Sequence, residues 1–194
     1  MYSILLDSSN TSLTVGIAKD NVLLDYTSYE AWQSQSEHMI PELDALLNKY
    51  GVEKTEIKDV AVAIGPGSYT GVRIAITIAK TIAAALGIEI YAISSLRCQK
   101  DGKNPSICVI NARSGRSYFG VFEDEKVLVD DCIYTNDKVI EYIKDHPKYS
   151  ICGDAKYLGY EEKKANIAQG LLDLKQISKP LDNALALKPV YMKD

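Results

Sequence analysis

"YSILLDSSNTSLTVGIAKDNVLLDYTSY", residues 2–29, reads as three strand-forming segments parted by the turn-formers SSNT and KD, the pattern of an antiparallel meander. The same pattern returns at residues 106–134 as "SICVIN", "RSYFGVF" and "KVLVDDCIY". A shift of 104 residues, placing Asp7 on Asn111, also sets Ile4 on Cys108, Val15 on Phe119, Gly16 on Gly120 and Asp20 on Asp124 without a gap. A repeated opening of this length implies two units built alike rather than one long sheet.

Between the copies, "EHMIPELDALLNKYG" (37–51) has Met39, Ile40, Leu43, Leu46, Leu47 and Tyr50 on one helical face, with Gly51 able to cap its end. Next come a strand "DVAVAIG" (59–65), a second helix and a short strand "IEIYAI" (88–93). The second half offers a helix over about 136–146, a strand "YSICG" and a partly helical stretch from Tyr157 onward. The expected architecture is α/β, with mixed sheets opened by three-strand meanders and covered by helices, in an N-terminal lobe at 1–98 and a C-terminal, shortened lobe at 99–194.

The 194 residues carry a net charge of −4, which argues against a protein that grips nucleic acid unaided. Four scattered cysteines without a CxxC pair and two isolated histidines imply a reducing compartment and no metal site. No basic leader precedes "YSILL" and no apolar run reaches spanning length, so the expectation is a cytoplasmic protein with no membrane partner.

"AIGPGSYTGVR" (63–73) imitates a phosphate loop, but the lysine that a GxxxxGK[ST] loop requires does not arrive until Lys80. Its glycines and proline suit a tight turn, with Ser68 or Thr70 capping the next helix, where an anion could also sit. That helix is apolar over roughly 220° of arc, more than one sheet needs, and Gly71, Ala75, Ala79 and Ala83 recur at every fourth position. Either the neighbouring helix and the other lobe consume the surplus or a partner does.

The duplicated plan resembles the actin, sugar-kinase and Hsp70 superfamily, whose two ribonuclease-H-like lobes close on a nucleotide. That resemblance implies a possible vestigial nucleotide site at Asp7 and Ser9, with Asp154 of "ICGDA" standing in for the second acid; Asp7 is equally readable as a turn residue. More specifically, "ILLDSS", "IGPGSYTGVRIAITIAK", "ISSL", "INARSGRSYFGVFE", "ICGDA" and the terminal "KPVY" resemble, in order along nearly the whole chain, the bacterial TsaB (YeaZ) family. The resemblance implies a non-catalytic scaffold and activator without cofactor in the complex that makes threonylcarbamoyladenosine beside the tRNA anticodon. Its implied partners are the catalytic subunit TsaD, as a heterodimer, and the ATPase TsaE binding that pair, with tRNA reached only through the complex. His38 and Glu42 stand where TsaD has its metal-binding HxxxH, and the second half is compact for the family. The partner interface, and a homodimer when the chain is alone, are expected through Met39, Leu43, Gly71, Val72, Ala75, Ile76, Ala79 and Ala83. The competing reading is a small ATP-dependent kinase or carbamoyl transferase working in the cleft between the lobes.

Overall fold

The structure, a computed structural model, describes residues 1–102, 104–161, 163 and 165–192. β1 (Tyr2–Asp7), β2 (Ser12–Lys19) and β3 (Val22–Glu30) form the expected meander, and β4 (Ile57–Ala63) and β5 (Glu89–Ile93) add in parallel beyond β1. The sheet order is β3-β2-β1-β4-β5. In the second lobe β6 (Ser106–Arg113), β7 (Arg116–Glu123), β8 (Lys126–Thr135) and β9 (Ser150–Gly153) repeat it as β8-β7-β6-β9. The α/β, two-lobed plan read from the repeat is therefore present, with a fifth strand only in the first lobe among the described residues.

Pairing corrects the gapless offset. Gly16 lies opposite Leu5, whereas Gly120 lies opposite Cys108, so Cys108 is the counterpart of Leu5 rather than of Ile4. By the same register Asp7, opposite Thr14, corresponds to Ile110, opposite Tyr118. Because side chains alternate between faces, this one-residue shift decides which face each β6 residue supplies. Ile4 and Leu6 pack under helices, as Ile107 and Val109 do, while Leu5 and Cys108 face the other way.

Helices α1 (Gln35–Lys49) and α2 (Tyr69–Leu86) cover one face of the first sheet. Ser68 caps α2 by accepting from the Gly71 amide at 3.2 Å, and Gly87, at φ 66°, ends it in the left-handed conformation. Met39, Leu43, Val72, Ala75, Ile76, Ala79 and Ala83 are buried there against Ile4, Leu6, Val15 and Val62. α2 is long and apolar enough in composition to cross a membrane, and the face carrying these residues packs on the sheet instead. Helix α3 (Asn136–Asp145) covers the second sheet through Val139 and Ile143.

The end of the chain departs from the expected division at residue 98. Helix α4 (Ile167–Ile177) crosses back to the free face of the first sheet, where Ala168, Leu171, Leu172 and Leu174 bury against Leu5, Ala18, Ala61, Ala63 and Ile93. The cause lies in β1, which is buried along its whole length and therefore needs cover on both faces. Small residues permit the approach. A Cβ on Gly16 would stand 3.1 Å from that of Ala168. Lys175, itself buried, reaches Asp59 Oδ2 at 2.8 Å and donates to Ser3 Oγ at 2.7 Å. The last residues continue along the same lobe: the Leu181 amide donates to Ile90 of β5, Lys80 to the Leu187 carbonyl, and the Val190 amide to the Ile64 carbonyl at 2.8 Å.

Candidate functional site

The turn after β1 and the loop before α2 are pressed together backbone to backbone. The Ser68 amide donates to the Ser9 carbonyl at 2.7 Å, and Ser8 Oγ donates to the Gly71 carbonyl at 2.8 Å. A Cβ on Gly67 would overlap the Ser9 carbonyl oxygen, and one on Gly71 the Ser8 carbonyl oxygen. These glycines thus provide space for a chain crossing. The Gly65 amide and carbonyl both bond to Ser95, and Val190 closes over the same glycine. The loop that imitates a phosphate cradle is filled by protein, and its terminal counterpart "KPVY" completes the joint with Tyr191 stacked on Tyr69 at 5.0 Å.

Asp7 is buried, and its Oδ1 accepts from the Ser9 amide at 2.8 Å, a turn-closing bond within its own segment. Burial raises its carboxyl above the ordinary aspartate range, partly offset by the hydrogen bonds from Ser9. The amide that a phosphate would need at Ser9 is spent on Asp7. Asp154, by contrast, reaches the inter-lobe cleft. Its Oδ1 accepts from Asn10 Nδ2 at 2.6 Å and its Oδ2 from the Asn111 amide at 3.3 Å, so it clasps one lobe to the other. Asp7 and Asp154, joined on paper as a nucleotide site, do not line one space: Asp154 lines the cleft and Asp7 does not.

That cleft has a volume of about 950 Å³. Asn10, Thr11, Trp32 and Gln35 wall it from the first lobe together with residues 67–71, and Ile110–Arg113 residues, Tyr118, Lys156 and Tyr157 wall it from the second. Gln35 donates to the Asn10 carbonyl at 2.8 Å, which fixes the turn beside it. Burial pushes the Tyr157 phenol up to about 12, so it stands as a neutral hydroxyl donating to Ser117 at 2.6 Å. Trp32, just beyond β3, and Arg113, at φ 63° where β6 ends, meet across the mouth with the guanidinium 5.7 Å from the ring. Neither is among the site residues expected from the sequence, where the basic cluster NARSGR (111–116) reads as a solvated turn; the chain's one tryptophan, set in a polar loop, is a visible signal.

The helix residues expected to meet a partner need correction. Met39, Leu43, Gly71, Val72, Ala75, Ile76, Ala79 and Ala83 are all buried within the chain, because α1, α2 and the first sheet consume that arc. The small residues bring α2 close to its own sheet and to the turn after β1. What stays open is the outer rim: Ile40 of α1 is exposed, and Ile74, Ile78 and Ile82, one turn apart on α2, are half-buried. His38 sits edge-on to Tyr29, whose hydroxyl donates to Glu42 at 2.9 Å, and His146 stacks on Tyr142.

Residues 29–163 match the family model described as "TsaD: tRNA N6-adenosine threonylcarbamoyltransferase". The tRNA threonylcarbamoyladenosine biosynthesis protein TsaB of Bacillus subtilis is 34% identical over 140 residues, 69% of this chain and 60% of that protein. This chain thus spans about 60% of the length of that relative. YeaZ from Pseudomonas aeruginosa superposes with a TM-score of 0.79 at 19% identity, covering 98% of this chain and 99% of that one. A second solved structure, an uncharacterized protein with similarity to peptidase YEAZ from the same organism, gives a TM-score of 0.87 at 20% identity with 99% of both chains covered. With its two lobes, its filled phosphate loop and a family match over most of its length, the chain belongs to the threonylcarbamoyltransferase family and, within it, to the TsaB (YeaZ) group.

Proposed function

We propose that this chain is a non-catalytic subunit in the synthesis of threonylcarbamoyladenosine on tRNA, binding and stabilising the transferase TsaD, with TsaE joining the pair. The observation that carries this reading is the joint between residues 8–11 and 65–71. A phosphoryl-transfer site depends on acids and amides that face bridging metals and phosphates. Here Asp7 is turned into its own turn, and the Ser9 and Ser68 amides are spent on protein acceptors. Membership of the TsaB group supports the tRNA role. Ile40, Ile74, Ile78 and Ile82 offer TsaD an apolar rim on a fold already complete without it, and the same rim would pair two copies when TsaD is lacking.

The test is capture of TsaD from the same cell, followed by threonylcarbamoylation of tRNA with and without this chain. Ile78→Glu should keep the unfolding transition near that of the wild type and lose TsaD, because the side chain lies at the rim. Ala79→Arg should fail differently, by unfolding, since it drives a charge of uncompensated cost into the core. Full tRNA modification without the chain would refute the proposal. The open cleft favours a second reading, an ATP-dependent kinase or carbamoyl transferase. ATP turnover by the pure protein, abolished by Asp154→Asn, would put that reading first.

A further inference from the structure

The chain is acidic overall, with a net charge of −4, but its cleft is not. Among the described residues the charged side chains that line it are Arg113, Lys156 and Asp154, and both oxygens of Asp154 already accept hydrogen bonds, from Asn10 and Asn111. Planar groups gather at the same mouth. Trp32, 45% exposed, stands against Arg113 from the opposite lobe. Tyr69, 59% exposed, stacks on Tyr191, and Arg73 lies 5.2 Å from the Tyr69 ring while donating to its hydroxyl at 2.7 Å. Trp32 and Tyr69 keep large ring faces in water although a buried aromatic contributes far more to stability than an exposed one.

Exposed rings and guanidinium planes beside cations are the elements that hold unpaired bases. Bases stack on the ring faces, and the cations answer the phosphates between them. We propose that the cleft mouth between Trp32 and Arg113 seats an unpaired base of a single-stranded RNA segment, and that Tyr69, Arg73 and Tyr191 carry the adjoining nucleotide. The ring–guanidinium contact is then the unliganded state of the seat: Arg113, on an exposed turn, swings aside or stacks on the far side of the base. Lys156 and Arg73 flank the path of the backbone, which gives a modest, salt-sensitive grip suited to an RNA held mainly by a partner. The choice of an anticodon loop as probe rests on the proposed role in tRNA modification, whereas the seat itself rests on the cleft.

Trp32 is the chain's only tryptophan, so its emission reports this mouth directly. The full chain, without TsaD, is titrated with a synthetic anticodon stem-loop RNA, with the same RNA annealed to its complement, and with AMP and ATP. The single-stranded loop should quench the emission saturably. Arg113→Gln and Tyr69→Ala should each weaken binding about tenfold, the loss expected for one stacked base. With labelled RNA followed by anisotropy, Trp32→Phe should retain binding and Trp32→Ala should lose it, since a ring face suffices. All three positions are exposed, and circular dichroism should show each of the four variants folded. An unchanged emission would overturn the proposal, as would equal binding of the annealed RNA. Saturation by AMP or ATP at the same concentrations as the loop would make the seat a free-nucleotide pocket instead. TsaD capture with a silent Trp32 would sink the seat alone, while a responsive Trp32 with no TsaD capture would sink the proposed function alone.

Discussion

The turn after β1 and the turn after β6 hold equivalent places in the two meanders, and they meet opposite fates. The first, residues 8–11, is spent: Ser8 and Ser9 are buried, and their carbonyls lie against the glycines of the loop before α2. The second keeps Arg113, Ser114 and Gly115 at positive φ, exposed, with Arg113 on the cleft. What differs is the helix that follows the fourth strand. In the first lobe α2 starts against the turn; in the second a short 3-10 helix, Ala155–Leu158, follows the fourth strand, and α4 leaves to cover the other sheet. One duplicated scaffold thereby yields a closed joint and an open edge.

Removing the crossing helix is the most severe way to break that contrast. A chain ending before Ile167 uncovers Leu5, Ala18, Ala61 and Ile93 and loses the buried Leu171, Leu172 and Leu174. The loss is roughly 5 kcal/mol or more, as large as the stability of many domains, so denaturant titration should show no cooperative folded state. Next is Lys175→Met, which strands Asp59, whose Oδ1 already lacks a hydrogen-bond partner among the described residues. It should cost about 3–5 kcal/mol, and the paired change Lys175→Met with Asp59→Leu should recover most of it. Urea midpoints of the two single variants and the pair check this as a double-mutant cycle.

A smaller effect sharpens the comparison of the turns themselves. Gly71→Ala, which sets a methyl into the Ser8 carbonyl, should cost about 3 kcal/mol. Gly115→Ala, at φ 72° with nothing near its Cβ position, should cost only about 1 kcal/mol for the left-handed backbone. Equal melting shifts for the two would mean that the joint has room to relax and is not the closed element described. The smallest effect is at Asp7. Its carboxyl is raised by burial, so the folded state holds the proton more tightly than the unfolded one, and the associated stability is present at low pH and lost as pH climbs from about 4 through the raised value. Asp7→Asn should therefore flatten that decline, matching the wild type in acid and exceeding it near neutrality in thermal melts.

Much of this could be read in the residues. The alternation in "YSILLD" and "SICVIN" and the turn-formers between segments reveal two meanders, and the missing lysine after GPGSYTG argues against a GxxxxGK[ST] phosphate loop. Other parts could not be read. A gapless offset placed Asn111 on Asp7, while hydrogen-bond register places Ile110 there, because one residue gained in a turn leaves the hydrophobic pattern of each strand almost unchanged. The stripe of Gly71, Ala75, Ala79 and Ala83 signals close approach but not by what, and in this fold the approaching surface is the chain's own sheet and turn.

The sequence by itself determined the strands, the helices, the repeat and the family, since each is written in local periodicity and in motifs of adjacent residues. Only the tertiary structure decided that α4 serves the first lobe, that Asp7 is shut away while Asp154 joins the lobes, and that Trp32 and Arg113 face each other across 5.7 Å. Those outcomes depend on which faces are left uncovered once both sheets have formed, and burial drives whatever apolar segment is within reach onto them.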